Sequence, residues 1–193
     1  MNAPLRDQPA RYGAVAMTLH WLIALAIIGN IVIGLSMTEP AMPALIALHK
    51  SIGLTVLVLS VLRLVWRWVN PAPPPLEQSR WLRAVARGLH HLFYFMIVAI
   101  PLAGWLMVSA GSMGHPTSVF GLFNWPAFPV LTDMTRSVAR PYHAAFQTIH
   151  VVLAWAMIFL IPLHIAAALY HHHFHRDNIL LRMLPGVKLR SGA

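Results

Sequence analysis

Residues 148–170 read TIHVVLAWAMIFLIPLHIAAALY, from Thr148 to Tyr170, and this stretch decides the fold. It carries no Asp, Glu, Lys or Arg. A helix rises about 1.5 Å per residue and a bilayer's hydrocarbon core is about 30 Å thick, so a segment of this length and polarity spans a membrane. Three earlier stretches have the same character, and the four spans are expected at about 14–37, 45–68, 89–110 and 146–171. They use up most of the 193 residues and leave no separate soluble domain. The expected fold is all-α: an integral membrane four-helix bundle, one membrane domain over residues 1–193.

Composition agrees. The chain is 58% hydrophobic and 10% charged, whereas a soluble domain carries about 25% charged residues. Arg6 and Arg11 precede the first apolar run, as in a secretory signal. That run is too long for one, and residues 35–44 offer no clear small-x-small cleavage site, so it reads as a retained first helix. Of the 14 Lys and Arg residues, eleven fall on the side shared by the termini and the middle loop: Arg6, Arg11, Arg63, Arg67, Arg80, Arg83, Arg87, Arg176, Arg182, Lys188 and Arg190. Only Lys50, Arg136 and Arg140 fall on the other. By the positive-inside rule both termini are cytoplasmic. The net charge of +9 is then a topology signal that faces lipid headgroups, and nucleic acid is not an expected partner. The absence of cysteine excludes disulfides, thiolate-held iron–sulfur clusters and covalent c-type haem.

Prolines punctuate the loops. Pro40 and Pro43 mark the short first outer loop, and Pro71, Pro73, Pro74 and Pro75 make the inner loop an extended linker. A basic segment, Arg80 to Gly88, leads into the third span. The second outer loop, Gly111 to Pro141, is the longest, and Phe120, Phe123, Trp125 and Phe128 place it against the membrane interface.

Twelve histidines in so charge-poor a chain call for an explanation, because ionisable groups within spans are costly and mark sites. His115, His143, His172, His173 and His175 fall outside or at the ends of spans and read as interfacial residues. His20, His49, His150 and His164 belong to strongly apolar helices. His150 and His164 are 14 residues apart, nearly four turns or about 21 Å, and so share one helix face at two depths. His20 matches the depth of His164, and His49 that of His150. Two imidazoles facing each other across a bundle suit a haem iron with both axial positions filled, which leaves one-electron transfer as its chemistry. Zinc fits less well, since each depth offers two ligands where zinc takes three or four from protein.

Arg63 lies 14 residues from His49, at the depth of the inner haem, and is a candidate propionate contact; Lys50 holds the same position at the outer one. Both are equally suited to snorkelling toward headgroups. Gly29, Gly34, Gly53 and Gly104 would let a flat macrocycle approach, although small residues at helix contacts account for them as well. Pro101 and Pro162 are tolerated within spans and receive no chemical role.

These residues resemble the bacterial cytochrome b561 family. The matching segments are His20-Trp21, HKSIG (His49 to Gly53), LHHLFYFMIVAIPLAGW (Leu89 to Trp105) and IHVVLAWAMIFLIPLHIAAALYHHHFHRDNILLRMLP (Ile149 to Pro185), which together cover nearly the whole chain. The resemblance implies a multi-pass protein of the bacterial inner membrane with two haem b groups, ligated by His20/His164 and His49/His150, that exchanges electrons with ubiquinone. It further implies oxidation of superoxide outside the membrane, with His171 at the quinone site, and it gives His90 no ligand role. The run His171-His172-His173 with His175 is longer than the family's usual pair. Lys50, Arg136, Arg140 and protonated His143 would draw in anionic superoxide, against the opposing charges of Glu39 and Asp133. Two other readings stay open at this point: a haem-bearing anchor docked to a dehydrogenase or hydrogenase partner, and a haem-free transporter or metal channel.

Overall fold

The computed structural model describes residues 11–37, 42–74, 79–112 and 115–190. Arg6, Glu39, Pro40 and Pro75, which figure in the sequence reading, lie outside the described residues. Four long helices form: α1 (Ala14–Ser36), α2 (Pro43–Val69), α3 (Arg80–Gly111) and α5 (Arg136–Tyr170). Each is long and apolar enough to cross a membrane. Between α3 and α5 come an antiparallel hairpin, β1 (Thr117–Val119) and β2 (Phe123–Trp125), and a single helical turn, α4 (Pro129–Thr132).

Two helices outrun their apolar windows. Helix α3 starts at Arg80, where the Ser79 hydroxyl accepts the Leu82 N–H at 3.3 Å. Helix α5 starts at Arg136, so residues 136–141 belong to it and the loop between α3 and α5 is correspondingly shorter. Hydropathy reports what lies in hydrocarbon, whereas helical hydrogen bonding continues past that boundary. The loop is also folded. Ser51 of α2 and Ser109 of α3, only 2% and 1% exposed, accept the N–H groups of Phe120 and Phe128 at 3.0 Å each. Each serine also donates to a carbonyl one turn back in its own helix, Ala47 and Trp105 respectively. Losing either acceptor would strand a backbone N–H, at a cost of about 1–3 kcal/mol.

Helix α1 packs on α2, α2 on α3 and α3 on α5. The ring is not closed by a comparably close packing of α1 on α5. The core is the cluster Met96, Ile97 and Met157, with Ile27, Ile31, Phe93 and Leu160 against it. Met157 is seven residues from both His150 and His164, so the core occupies the middle depth, about two turns from each. Outward-facing side chains are apolar and uncovered, among them Leu25 (64% exposed), Val32 (60%) and Phe159 (73%). Large apolar side chains uncovered in this way around the bundle make a lipid-facing surface.

The two ends of the bundle differ. At one, the terminus end, Arg11 donates to the carbonyls of Leu184 and Val187, the Trp21 indole N–H to the Met183 carbonyl (2.8 Å), and Arg182 to the Pro74 carbonyl (2.7 Å). These bonds gather the start of α1, the α2–α3 linker and the C-terminal segment on one side. The hairpin covers the other.

Candidate functional site

At the hairpin end, His49 of α2 and His150 of α5 face each other with ring centroids 6.1 Å apart, at 79°. Each ring is tied to the backbone of a different helix. Nδ1 of His49 lies 3.2 Å from the Asn30 carbonyl on α1, and Nδ1 of His150 lies 2.9 Å from the Ile100 carbonyl on α3. A carbonyl can only accept, so each Nδ1 carries the hydrogen and each Nε2 keeps its lone pair. That is the tautomer a metal-ligating imidazole needs.

Backbone features admit these bonds. A Cβ on Gly34 would stand 3.2 Å from His49 Cε1, and one on Gly104 would stand 3.1 Å from His150 Nδ1. Each imidazole therefore seats directly on a glycine. Gly104 is one turn beyond Ile100, and its missing side chain opens the way to that carbonyl. Pro101 is buried beside it and, lacking an N–H, leaves the helix without its bond to Ile97. The glycines thus do more than pack helices: a Cβ on Gly34 or Gly104 would crowd the rings, Gly53 lines the same cavity, and a Cβ on Gly29 would meet no atom within 4 Å. That cavity, about 290 Å³, is apolar apart from a few groups that include Asn30, His49, Lys50 and His150, and Thr117 of the hairpin lies in its wall.

At the terminus end the arrangement is more crowded. The ring packed on His164 is that of His90, at 5.9 Å, with Phe93 at 5.2 Å. His90 directs Nδ1 at the Ala86 carbonyl of its own helix, 2.6 Å away. His20 joins from α1, edge-on to Trp21 at 5.4 Å and within electrostatic reach of Arg63, His164 and His90. Arg63 donates to the Ala16 carbonyl at 3.1 Å, one turn from His20, and its guanidinium lies 5.8 Å from the centre of the Tyr94 ring. His20 thus lies within electrostatic reach of His164, and His90 is a third imidazole, between α3 and α5. Beyond them His171 opens a π-helical turn, His171–His175, and its Nδ1 is 2.6 Å from Asp177 Oδ2.

A second, more open cavity of about 600 Å³ lies at the hairpin end, lined by Ala110, Gly111, Arg136, Ser137, Arg140 and His143. It joins two of the three cations on that side to His143.

A profile of the prokaryotic cytochrome b561 family matches residues 11–186. This chain belongs to that family. It is a multi-pass cytochrome b561 of the bacterial inner membrane, a haem protein of electron transfer. Cytochrome b561 homolog 2 of Escherichia coli is 35% identical over 184 residues, covering 92% of this chain and 93% of that protein. A protein of Yersinia pestis named "Probable superoxide oxidase CybB" is 27% identical over 180 residues, or 91% and 96% of the two chains. Cytochrome b562 of Cereibacter sphaeroides is 27% identical over 186 residues, covering 92% and 97%.

The hairpin-end residues of this cytochrome b561 fit a haem. Metal–imidazole bonds of about 2 Å and ring half-widths of about 1 Å put the centroids of two opposed ligand rings about 6 Å apart. The 6.1 Å between His49 and His150 meets that spacing, and their carbonyl bonds fix the required tautomer. Sequence reasoning passed over Asn30, although a lone Asn in an apolar span is itself a signal of this kind. It discounted His90, whose packing against His164 follows from the adjacency of α3 and α5. It also missed Asp177, because nothing in linear order shows the chain turning back on His171.

Proposed function

We propose that this cytochrome b561 carries two haem b groups and moves electrons from a one-electron donor at the hairpin end to ubiquinone at the terminus end. The observation that carries the reading is the pair of histidine clusters at two depths, separated by the Met96–Met157 core. Bound haem b would supply one-electron oxidation and reduction. In this reading His49 and His150 hold one haem and His20 and His164 the other. Lys50, in the wall of the hairpin-end cavity, and Arg63, bonded to the Ala16 carbonyl one turn from His20, would supply cations for the propionates. The Met and Leu side chains between the clusters exclude water from the path. The bias of Lys and Arg supports a cytoplasmic side for the termini, and with them for Arg63, His164 and His171.

The donor is superoxide. Support comes from the name of the Yersinia pestis relative and from the cavity of Arg136, Arg140 and His143 beside α3. Two superoxide ions would give up one electron each and leave as dioxygen; two electrons and two protons convert ubiquinone to ubiquinol. On this chain the cationic side chains attract the anion, and the histidines hold the acceptor in place.

The test is a reduced-minus-oxidised spectrum with haem stoichiometry on the detergent-purified chain. Two b-type haems per chain are expected, with His150→Ala and His164→Ala each removing or altering a different one. Folded protein without haem would sink the proposal.

A further inference from the structure

Resting on the reading that His49 and His150 hold a haem, we propose that the side-chain amide of Asn30 raises that haem's reduction potential. Helix α1 is apolar through this region, IALAIIGNIVIGL from Ile23 to Leu35, and Asn30 is the one hydrogen-bonding side chain in it. A polar group at hydrocarbon depth is costly unless it has a partner or a task. The backbone of Asn30 has its task already. Its carbonyl accepts the Nδ1–H of His49 at 3.2 Å, and that bond holds the ring.

The side chain takes no part in that bond. Oδ1 is enclosed and accepts no hydrogen bond. Nδ2 lies over Gly53, 3.7 Å from where a Cβ on that glycine would stand. Gly53 is one turn beyond His49 on α2, and Asn30 and Gly53 both belong to the wall of the hairpin-end cavity. The amide is therefore held beside the imidazole, with its oxygen shut in and its nitrogen over the glycine of the cavity wall. A buried acceptor without a partner is rare, and a redox role is one of the reasons a protein keeps one. The buried serines of the bundle sharpen the point. Ser51 and Ser109 each donate to a carbonyl one turn back and accept an N–H from the outer segment. Ser60, 0% exposed, has no partner either, but it is 11 residues from His49, about 16 Å along α2, and outside that cavity wall.

An amide dipole in an apolar cavity, with no hydrogen bonds to offset it, acts at nearly full strength. With the nitrogen on the cavity side, its positive end favours the form of the haem that carries the extra electron. Groups of this kind, just beyond the axial ligands, are among the levers that set a haem's potential. Being neutral, the amide does this without a titrating group of its own. Asn30→Leu separates this role from the backbone one. The substitution keeps the shape of the side chain and the carbonyl that receives His49, and removes only the dipole.

The experiment is a spectroelectrochemical titration of the full-length holoprotein in detergent, with haem content measured alongside. The hairpin-end component is the one that His150→Ala removes or alters. In Asn30→Leu and Asn30→Ala we expect full haem content and a lower midpoint for that component alone. Its reduction equilibrium should fall about threefold to tenfold, as for one lost hydrogen-bond-strength interaction, or about 30–60 mV for one electron. Asn30→Gln, which keeps an amide, should recover part of the shift, and Ser60→Ala should leave that midpoint in place. An unchanged or raised midpoint in both Asn30→Leu and Asn30→Ala would overturn the proposal. Haem loss in both would also overturn it, by making the side chain purely structural. If His150→Ala disturbs no haem component, the ligand reading itself fails instead.

Discussion

The two histidine clusters are built on opposite plans. At the hairpin end two imidazoles sit on glycines, each tied to the carbonyl of another helix, under a roof pinned by Ser51 and Ser109. At the terminus end three imidazoles lie within electrostatic reach of one another beside Arg63, and the histidine–aspartate pair and a strapped C-terminal segment lie beyond. The first is a rigid, apolar place suited to moving an electron without a proton. The second is more polar, which suits an acceptor that takes up protons. In the proposed function the two tasks are separated by depth, and the contrast can be broken or sharpened experimentally.

The largest effect should come from the terminus end, where His164 has two candidate partners. His20→Ala is expected to remove the haem at that depth, lowering the stoichiometry from two toward one and leaving the hairpin-end spectrum intact. His90→Ala is expected to keep both haems, with only a shifted potential. The reverse result, haem loss with His90→Ala alone, would move the ligand from α1 to α3, where the 5.9 Å ring spacing already resembles that of the outer pair. Pyridine haemochrome analysis of the two variants decides it.

That ambiguity marks the limit of what the sequence could say. Four apolar windows were enough to define the bundle, because hydrocarbon thickness leaves a chain few choices. Spacing along α5 set His150 and His164 at two depths, since a helix converts residue number into height. Which histidine on another helix meets them is a question of rotation and neighbour order, and depth alone is silent on it. His49 has no competitor at its level; His20 has His90. The same limit hid the Asn30 and Ile100 carbonyls, since every residue has a carbonyl and only the fold picks the ones that receive an imidazole. The folded outer hairpin was missed because its anchors are two serines inside helices, which look like any other small helix residues.

A smaller but sharper effect tests the glycine seats. A side chain at Gly104 must share space with His150, because even a Cβ would come within 3.1 Å of Nδ1. Overpacking of this sort costs about 1–3 kcal/mol, and the ring is the group most able to yield. Gly104→Leu should therefore break the bond to Ile100, lower haem occupancy at the hairpin end and leave the terminus-end haem unaffected. Gly29→Leu, at a position with open space, is the control expected to change neither. Equal loss from both variants would mean that bulk in the bundle, not the seat of the imidazole, matters.

The smallest effect is expected in the encounter with the donor. Lys50 lines the inner cavity, and Arg136 and Arg140 line the open one with His143, so the hairpin end shows positive charge despite holding only three of the chain's Lys and Arg residues. Fields from exposed charges act over a Debye length of about 8–10 Å and are screened by salt. Replacing all three cations by glutamine should therefore slow haem reduction by superoxide several-fold at low ionic strength and flatten its salt dependence. Haem content and reduction by dithionite should stay the same. If the salt dependence survives the triple substitution, attraction must come from elsewhere on that face. The outer end would then contribute only its buried imidazoles, and the division of labour between the two ends would rest on proton access alone.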